Sequence, residues 1–453
     1  MIKRPMDARG KLPPGPSGYS LIANLHALST DPVSFFARCS REYGDIVYLR
    51  LAHISFCLFT HPRDIEHVLV TNASNFEKTA DIRVIRMVLG NGLLTAEGPA
   101  WQKGRKLSQP AFRHENIAVY GELMVRLAEE KIADWQDGQM LDIHQQMMAL
   151  ALDVVAKSLL GSDLYRRARA ISDALNVLMG QFVSLGILAF LLPDDFPLPR
   201  SRRFRRSLRQ LDAIISEAIE DRRSVRGTAS DLLEILLRTQ DEDEAQMTDE
   251  RLRDEIKTVF VTGHETTANA LSWTWYLLAQ HPEVEAVLHR ELAEVLEGRI
   301  PTVSDLCHLP YTEMVIKEAL RLYPALSAQA RRAVGAFETG GFHFPAGTNV
   351  AMMTWNTHRD SRFFPEPERF NPERWNADCR RRNPIPRFAY FPFGGGPRTC
   401  IGAGFAMMET TLLLATIAQR YRLTLVPGQE VKTLPSLTLR PKNGIQMVVH
   451  KLQ

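Results

Sequence analysis

Phe393-Gly-Gly-Gly-Pro-Arg-Thr-Cys400-Ile-Gly402 lies near the C-terminal end of a 453-residue chain, just ahead of a long apolar run. Three glycines and a proline specify a tight loop, and one cysteine stands where that loop meets the predicted helix. A cysteine at that point feels unpaired backbone N–H groups and the positive end of the helix dipole, which favour thiolate over thiol. Gly402 leaves room beside the sulfur for a large flat group, and Arg398 brings a fixed positive charge two residues away. A lone thiolate cannot complete a tetrahedral zinc site, but it can be the axial ligand of a haem iron. The competing reading is a buried, inert turn cysteine, the commoner fate of any one cysteine.

The totals narrow the field. The chain is 45% hydrophobic and 24% charged, ordinary for a globular protein, with a net charge of +3 that argues against a dedicated nucleic-acid binder. Its five cysteines, Cys39, Cys57, Cys307, Cys379 and Cys400, lack paired spacing, which fits a reducing compartment rather than a disulfide framework. The N-terminus is charged from Lys3 and Arg4 onward without an apolar run, so neither a signal peptide nor a membrane anchor is expected. The reading is a cytoplasmic protein of bacterial type.

Taken in order, residues 1–16 form a leader that ends in the stiff Leu12-Pro-Pro-Gly-Pro16. A short helix is predicted over 32–43, with Val33, Phe36 and Ala37 inward, then a hairpin from 46–51 and 55–60, then a helix from Pro62 to Val70. Residues 75–94 read as a loop with one short helix. Residues 99–112 carry Trp101 and Arg105, four apart and so on one helical face. That pair could grip a carboxylate, or be a surface arginine covering a half-buried indole. Three apolar-faced helices follow over 117–135, 141–160 and 165–192. The stretch Phe182–Leu192 is too short to span a bilayer, which needs about 20 apolar residues. It is a buried helix or a greasy lid. The basic run Arg200, Arg202, Arg203, Arg205, Arg206, Arg209 reads as a solvated helix face.

A helix from Thr248, a good N-cap with Asp249 and Glu250 behind it, to about Ala279 would be about 45 Å long and cross the molecule's centre. Helices over 283–296 and 311–322, short strands near 342–344, 348–353, 436–439 and 445–450, and an irregular proline-rich stretch over 363–386 complete the chain. The prediction is one mainly α domain, residues 1–453, with a minor β-sheet region.

The middle of the long helix reads Thr262-Gly263-His264-Glu265-Thr266-Thr267. Glycine costs about 1 kcal/mol inside a helix, so Gly263 implies close approach or distortion. A metalloprotease H-E-x-x-H fails because position 268 is Ala268. The polar residues either serve a task or simply back-bond to helix carbonyls. Glu318 and Arg321 share one face of a later helix, a pair that is usually worth little on a surface.

These motifs jointly resemble the cytochromes P450. The loop is similar to that family's haem-binding signature at Phe393, Gly396, Arg398, Cys400 and Gly402. The resemblance implies a fold with a long central helix over a haem b, and Cys400 as the proximal iron ligand. It implies that Trp101, Arg105, Arg398 and Arg331 (with Arg332 the other candidate) bind the propionates. Glu265 and Thr266 would deliver protons to dioxygen, and Gly263 would clear space over the porphyrin. Glu318 and Arg321 match the E-x-x-R pair, completed by Arg374 of Pro372-Glu-Arg-Trp375, in a structural role that fixes the cysteine loop. The sequence departs at Thr262, where the family has Ala or Gly. The implied activity is a haem-thiolate monooxygenase placing one oxygen atom in a C–H or C=C bond of a lipophilic small molecule. No nicotinamide or flavin fingerprint is present, so electrons would come from a ferredoxin or flavodoxin with its reductase, docking on Lys106, Arg380, Arg381, Arg382 and Arg387. No nucleic-acid partner is implied, and the expected state is a monomer. The alternatives are a peroxide-dependent peroxygenase, an electron-independent isomerase or dehydratase, and a non-enzymatic haem or lipophilic-ligand binder.

Overall fold

The computed structural model describes residues 6–7, 10–16, 31–51, 54–113, 115, 118–161, 165–175, 177–178, 201–224, 231–242, 247–435 and 437–452. Helices dominate: α1 (Pro32–Tyr43), α2 (Pro62–Glu66), α3 (Ile82–Leu89), α4 (Gly98–Ser108), α5 (Gly121–Ile132), α6 (Ile143–Leu159), α7 (Arg202–Ser224), α8 (Leu232–Glu242), α9 (Asp249–Leu278), α10 (Pro282–Leu296), α11 (Pro310–Leu322) and α12 (Ala403–Ala418). The part of the expected 165–192 helix that carries Phe182–Leu192 lies outside the described residues.

α9 is the axis. The Thr248 side chain accepts from the Arg251 N–H at 3.2 Å, the N-cap that its sequence implied. Thirty residues follow without a break. From Ala268 to Leu278 nearly every side chain is buried, because α6, α11 and α12 pack around this half of the helix in one continuous apolar core. Trp273 stacks on Tyr323 at 4.2 Å and donates its indole N–H to the Leu439 carbonyl at 2.9 Å. α12 carries a single charged residue, Glu409, and is apolar on all sides. A helix of that composition is stable only when surrounded, and Leu412, Leu413 and Leu414 are all fully buried.

The minor β component comprises four sheets among the described residues, the largest five-stranded, from β1 (Ile46–Leu51), β2 (Ile54–Phe59), β3 (Phe76–Glu77), β4 (Gln329–Ala333) and β5 (Asn349–Met352), in the order β1-β2-β5-β4-β3. β2 and β5 run parallel, and the other pairs are antiparallel. The expected hairpin at 46–60 is therefore present. β4 was not expected, and it is the strand that presents Arg331 and Arg332.

Several expectations shift. α1 buries Val33, Phe35 and Cys39 rather than Phe36 and Ala37, since Phe35 and Cys39 face the inner side of β1 and β2. The helix begun at Pro62 changes at His67 into a π-turn that runs to Thr71. The strand expected near 436–439 is a hairpin of Thr433–Pro435 and Leu439–Pro441.

Candidate haem site

The loop ahead of α12 is built by close approach. Gly396 has φ +66°, and a Cβ there would sit 1.8 Å from the Leu69 carbonyl oxygen, so the loop is pressed onto the π-turn that follows α2. The Cys400 N–H donates to the Phe393 carbonyl at 2.9 Å, closing the loop on itself. Cys400 is exposed, although protein atoms crowd around its sulfur. Burial raises its thiol pKa; the Gly402 N–H and the Arg105 guanidinium pull the other way without prevailing. The expected bias toward thiolate is therefore reversed in the protein alone, because desolvation outweighs one N–H and one nearby cation. A metal cation over the sulfur would supply the missing charge.

Around Arg398, cations outnumber acids among the described residues. Arg398 donates to the Ala96 carbonyl at 3.2 Å, pairs closely with Glu97 and lies 4.4 Å over the Trp101 ring. Arg105, on the same helix as Trp101, donates to the Thr399 carbonyl at 2.8 Å. Burial, then the neighbouring Arg398, pull Arg331 down to about 10. Lys78 falls to about 7, again from burial first and Arg398 second, with Arg331 and Arg86 adding to it. Glu97 is the one carboxylate among them. Arg331 is thus the arginine of β4 that joins this cluster, while strand alternation turns Arg332 to the other face.

The loop is braced from behind. Glu318 and Arg321 are both fully buried, and Glu318 accepts five hydrogen bonds. Its Oε1 takes Arg321 Nη2 at 2.9 Å, Arg374 Nε at 2.8 Å and the Asn371 N–H at 3.0 Å. Its Oε2 takes Arg321 Nε and the Trp375 indole, each at 2.9 Å. Arg321 also donates to the carbonyl of His358 at 2.8 Å. His358 Nε2 then accepts the Phe391 N–H at 2.9 Å, two residues before the loop begins. The three residues expected to act together do so, and His358 is the link that no motif announced.

The helix α9 carries the expected acid and alcohols. Thr258, Thr262 and Thr266 form a ladder, with Thr262 donating to the Thr258 carbonyl and Thr266 to the Thr262 carbonyl, both at 2.8 Å. Thr266 therefore makes the helix back-bond that was the alternative reading, and its oxygen keeps two lone pairs free to accept. Glu265 accepts from the Thr438 hydroxyl, which in turn accepts from Asn269 at 3.1 Å. Thr267 donates to Glu409 at 3.3 Å. Glu409 is wholly buried, and burial raises its carboxyl pKa far above the usual range.

A Cβ on Gly263 would meet Val155 at 3.0 and 3.2 Å, so its absence lets α9 and α6 pack closely. His264 is buried, with its Nδ1 on the Phe260 carbonyl. Among the described residues no group of three or more His, Cys, Asp or Glu could hold a metal ion, which leaves the lone cysteine.

The chain matches the family model "Cytochrome P450" over residues 13–449. It is a cytochrome P450. It is 36% identical over 428 residues to cyclooctatin synthase of Streptomyces melanosporofaciens, covering 94% of this chain and 92% of that protein. It is 31% identical to pentalenene oxygenase of Streptomyces avermitilis, covering 94% of each. Cyclooctat-9-en-7-ol 5-monooxygenase, also of Streptomyces melanosporofaciens, is 36% identical over 91% of this chain and 90% of that one. Among solved structures, the haem domain of cytochrome P450DA superposes with a TM-score of 0.87 at 26% identity, covering 97% of this chain and 98% of that one. This P450 is a haem-dependent monooxygenase. Its residues fit the cofactor, since an exposed cysteine stands beside Arg105 and a surplus of cations, the complement of a metal ring bearing two carboxylates.

Sequence reasoning missed Lys78, Glu97, His358 and Glu409. Glu409 had a signal, being the only charge in an otherwise apolar helix. Lys78 and Glu97 had none, because only the folded chain brings them to Arg398.

Proposed function

We propose that this P450 holds haem b through Cys400 and oxygenates a cyclic, alkene-type hydrocarbon or its alcohol, of the terpenoid class. The observation that carries the haem assignment is the accessible Cys400 sulfur beside a cluster of cations with one carboxylate. A bound haem supplies the reductive activation of dioxygen. Cys400 would ligate the iron, with the Gly402 N–H and Arg105 steadying the sulfur's charge. Arg398, Arg331, Arg105 and Trp101 would receive the propionates, and Lys78 joins them. Thr266 would deliver a proton by swinging its hydroxyl off the Thr262 carbonyl toward the ring. Glu265, held by Thr438, would reload it from solvent.

The substrate class rests on the relatives, two of which are named for an alkene and an alkenol. Residues 75–94, which the family resemblance places over the substrate pocket, suit an uncharged substrate. Val84, Ile85, Val88 and Leu89 of α3 are buried, and Arg86, one possible carboxylate receptor, already donates to the Thr95 carbonyl at 2.6 Å.

Electrons would come from a ferredoxin or flavodoxin with its reductase. Lys106, Arg380, Arg381, Arg382 and Arg387 are exposed, and Arg387 lines a cleft with Gly394, Gly396 and Thr399 on the outer side of the cysteine loop. An acidic carrier suits that face, and reduction would slow steeply with salt. The monomeric state and cytoplasmic location complete the proposal.

Two measurements test it. The reduced carbon-monoxide complex should show the strongly red-shifted Soret band of thiolate ligation, absent in Cys400→Ser; a histidine-type band would refute the ligand. A panel of cyclic terpenes, terpene alcohols and fatty acids should shift the iron spin state for the first two only.

A further inference from the structure

The first turns of α7 carry Arg202, Arg203, Arg205, Arg206 and Arg209, all exposed. None of the five side chains makes a hydrogen bond or ion pair with a described residue. Their own helix cannot neutralise them, because each of its four carboxylates is already committed. Asp212 pairs with the buried Lys257 at 3.1 Å, Asp221 with Arg167 at 2.8 Å, Glu217 with Arg167 at 4.0 Å, and Glu220 with Arg223 at 2.8 Å. The first turn holds no acid, and it is the end where the helix dipole is already positive. Five like charges there weaken the helix, and no described acid answers them, so an anion from outside is a fitting complement.

At 100° per residue, Arg202, Arg205, Arg206 and Arg209 fall within an arc of about 100°. The opposite face carries Phe204, Leu211 and Ile215, all buried. The result is a one-sided cationic stripe. The large exposed apolar residues of the described chain, such as Val119, Met140 and Val334, all lie elsewhere, so no described residue gives the stripe the apolar anchor on which protein interfaces centre. Its only aromatic side chain, Phe204, is buried, which removes a stacking platform for single-stranded nucleic acid.

We propose that this stripe docks the enzyme on the surface of an anionic lipid bilayer, with phospholipid headgroups as the missing counter-charges. A helix bearing four to eight basic side chains on one face is the arrangement such headgroups attract. The benefit to catalysis rests on the lipophilic-substrate reading, since a substrate dissolved in the bilayer is reached from its surface. The contact is peripheral: no described helix is long and apolar enough to cross a membrane.

The test is co-sedimentation of the haem-loaded, full-length enzyme with vesicles of phosphatidylcholine alone or mixed with phosphatidylglycerol, at low and raised salt. The expected result is binding to the mixed vesicles only, lost on raising salt. Changing Arg202, Arg205, Arg206 and Arg209 to Gln should weaken binding about fivefold per arginine. The thermal melt and the reduced carbon-monoxide spectrum should stay unchanged. Absence of binding to the mixed vesicles at low salt would overturn the proposal. Equal binding to both vesicle types, or a fourfold variant that binds like the parent, would do so as well. If vesicles are not bound but the variant loses affinity for duplex DNA, or is reduced more slowly by an acidic carrier, the stripe belongs to that partner instead. Binding is read without turnover, so its failure leaves the substrate and thiolate measurements standing, and theirs leaves it standing.

Discussion

Replacing Glu318 with Gln isolates what holds the cysteine loop in place. The amide can keep a carbonyl oxygen toward Arg321 Nη2, Arg374 Nε and the Asn371 N–H, the three donors now on Oε1. Its NH₂ group must then face Arg321 Nε and the Trp375 indole, two donors now on Oε2. Two buried donors lose their acceptor, at about 1–3 kcal/mol each. Two guanidinium groups also lose the one carboxylate that balanced them, and breaking a buried pair in this way costs about 3–5 kcal/mol in all. Set against a total stability of about 5–15 kcal/mol, that is a large fraction. The assay is urea unfolding of the holoenzyme, followed by tryptophan fluorescence and by the thiolate-type carbon-monoxide band. The midpoint should fall, and the band should be lost at lower urea than the global signal, since Arg321 also holds the His358 carbonyl ahead of the loop. Glu313→Gln is the control on the same helix: it removes a half-exposed pair with Lys317, 2.7 Å apart, worth at most about 1 kcal/mol. Equal midpoints for the two variants would refute the reasoning.

Thr266→Ala deletes only a back-bond on a helix that keeps its other contacts, so stability should change by less than about 1 kcal/mol. Reductant consumption should continue while product falls and peroxide rises; undiminished product yield would remove Thr266 from proton delivery. Burial lifts Glu255 from 4.5 to about 7, so the folded protein binds that proton more tightly than the unfolded chain. Its contribution is present at low pH and is lost as pH climbs from about 4.5 to about 7. Glu255→Gln, still able to accept the Leu93 N–H now 2.9 Å from the carboxylate, should therefore gain on the parent between acidic and alkaline buffer, by at most about 3 kcal/mol. A difference independent of pH would contradict this. Glu409→Gln mimics a protonated acid and should be nearly neutral in a melt at neutral pH. Glu409→Ala should cost about 1–3 kcal/mol by opening a hole, while Thr267 keeps its bond to the Gly263 carbonyl at 3.2 Å; a costly Gln variant would mean that the acid is ionised.

Much of this was readable in the chain because it is local. A helix as long as α9 announces itself through its N-cap and its unbroken pattern, and the Glu318–Arg321 spacing puts both groups on one face before anything folds. β4 escaped because Arg331 and Arg332 stand side by side in it and break the apolar alternation that marks a strand. The Lys78–Glu97–Arg331–Arg398 cluster escaped for another reason. Its members come from four separate stretches of sequence, and only the meeting of the sheet, α4 and the cysteine loop assembles them. Gly263 was read correctly as a close approach, but sequence could not say to what; Val155 of α6 is the answer.

The cation cluster has a consequence for the life of the polypeptide. On the proposed assignment, the chain without its cofactor holds Lys78, Arg331 and Arg398 close together with Glu97 as their counter-ion among the described residues, and burial first, then Arg398, lowers the Lys78 pKa. Propionates would end that repulsion, so the cofactor acts as a folding ligand whose free concentration sets how much protein survives. A cell short of iron or of porphyrin would then lose this enzyme twice, once as idle catalyst and again as substrate for its proteases.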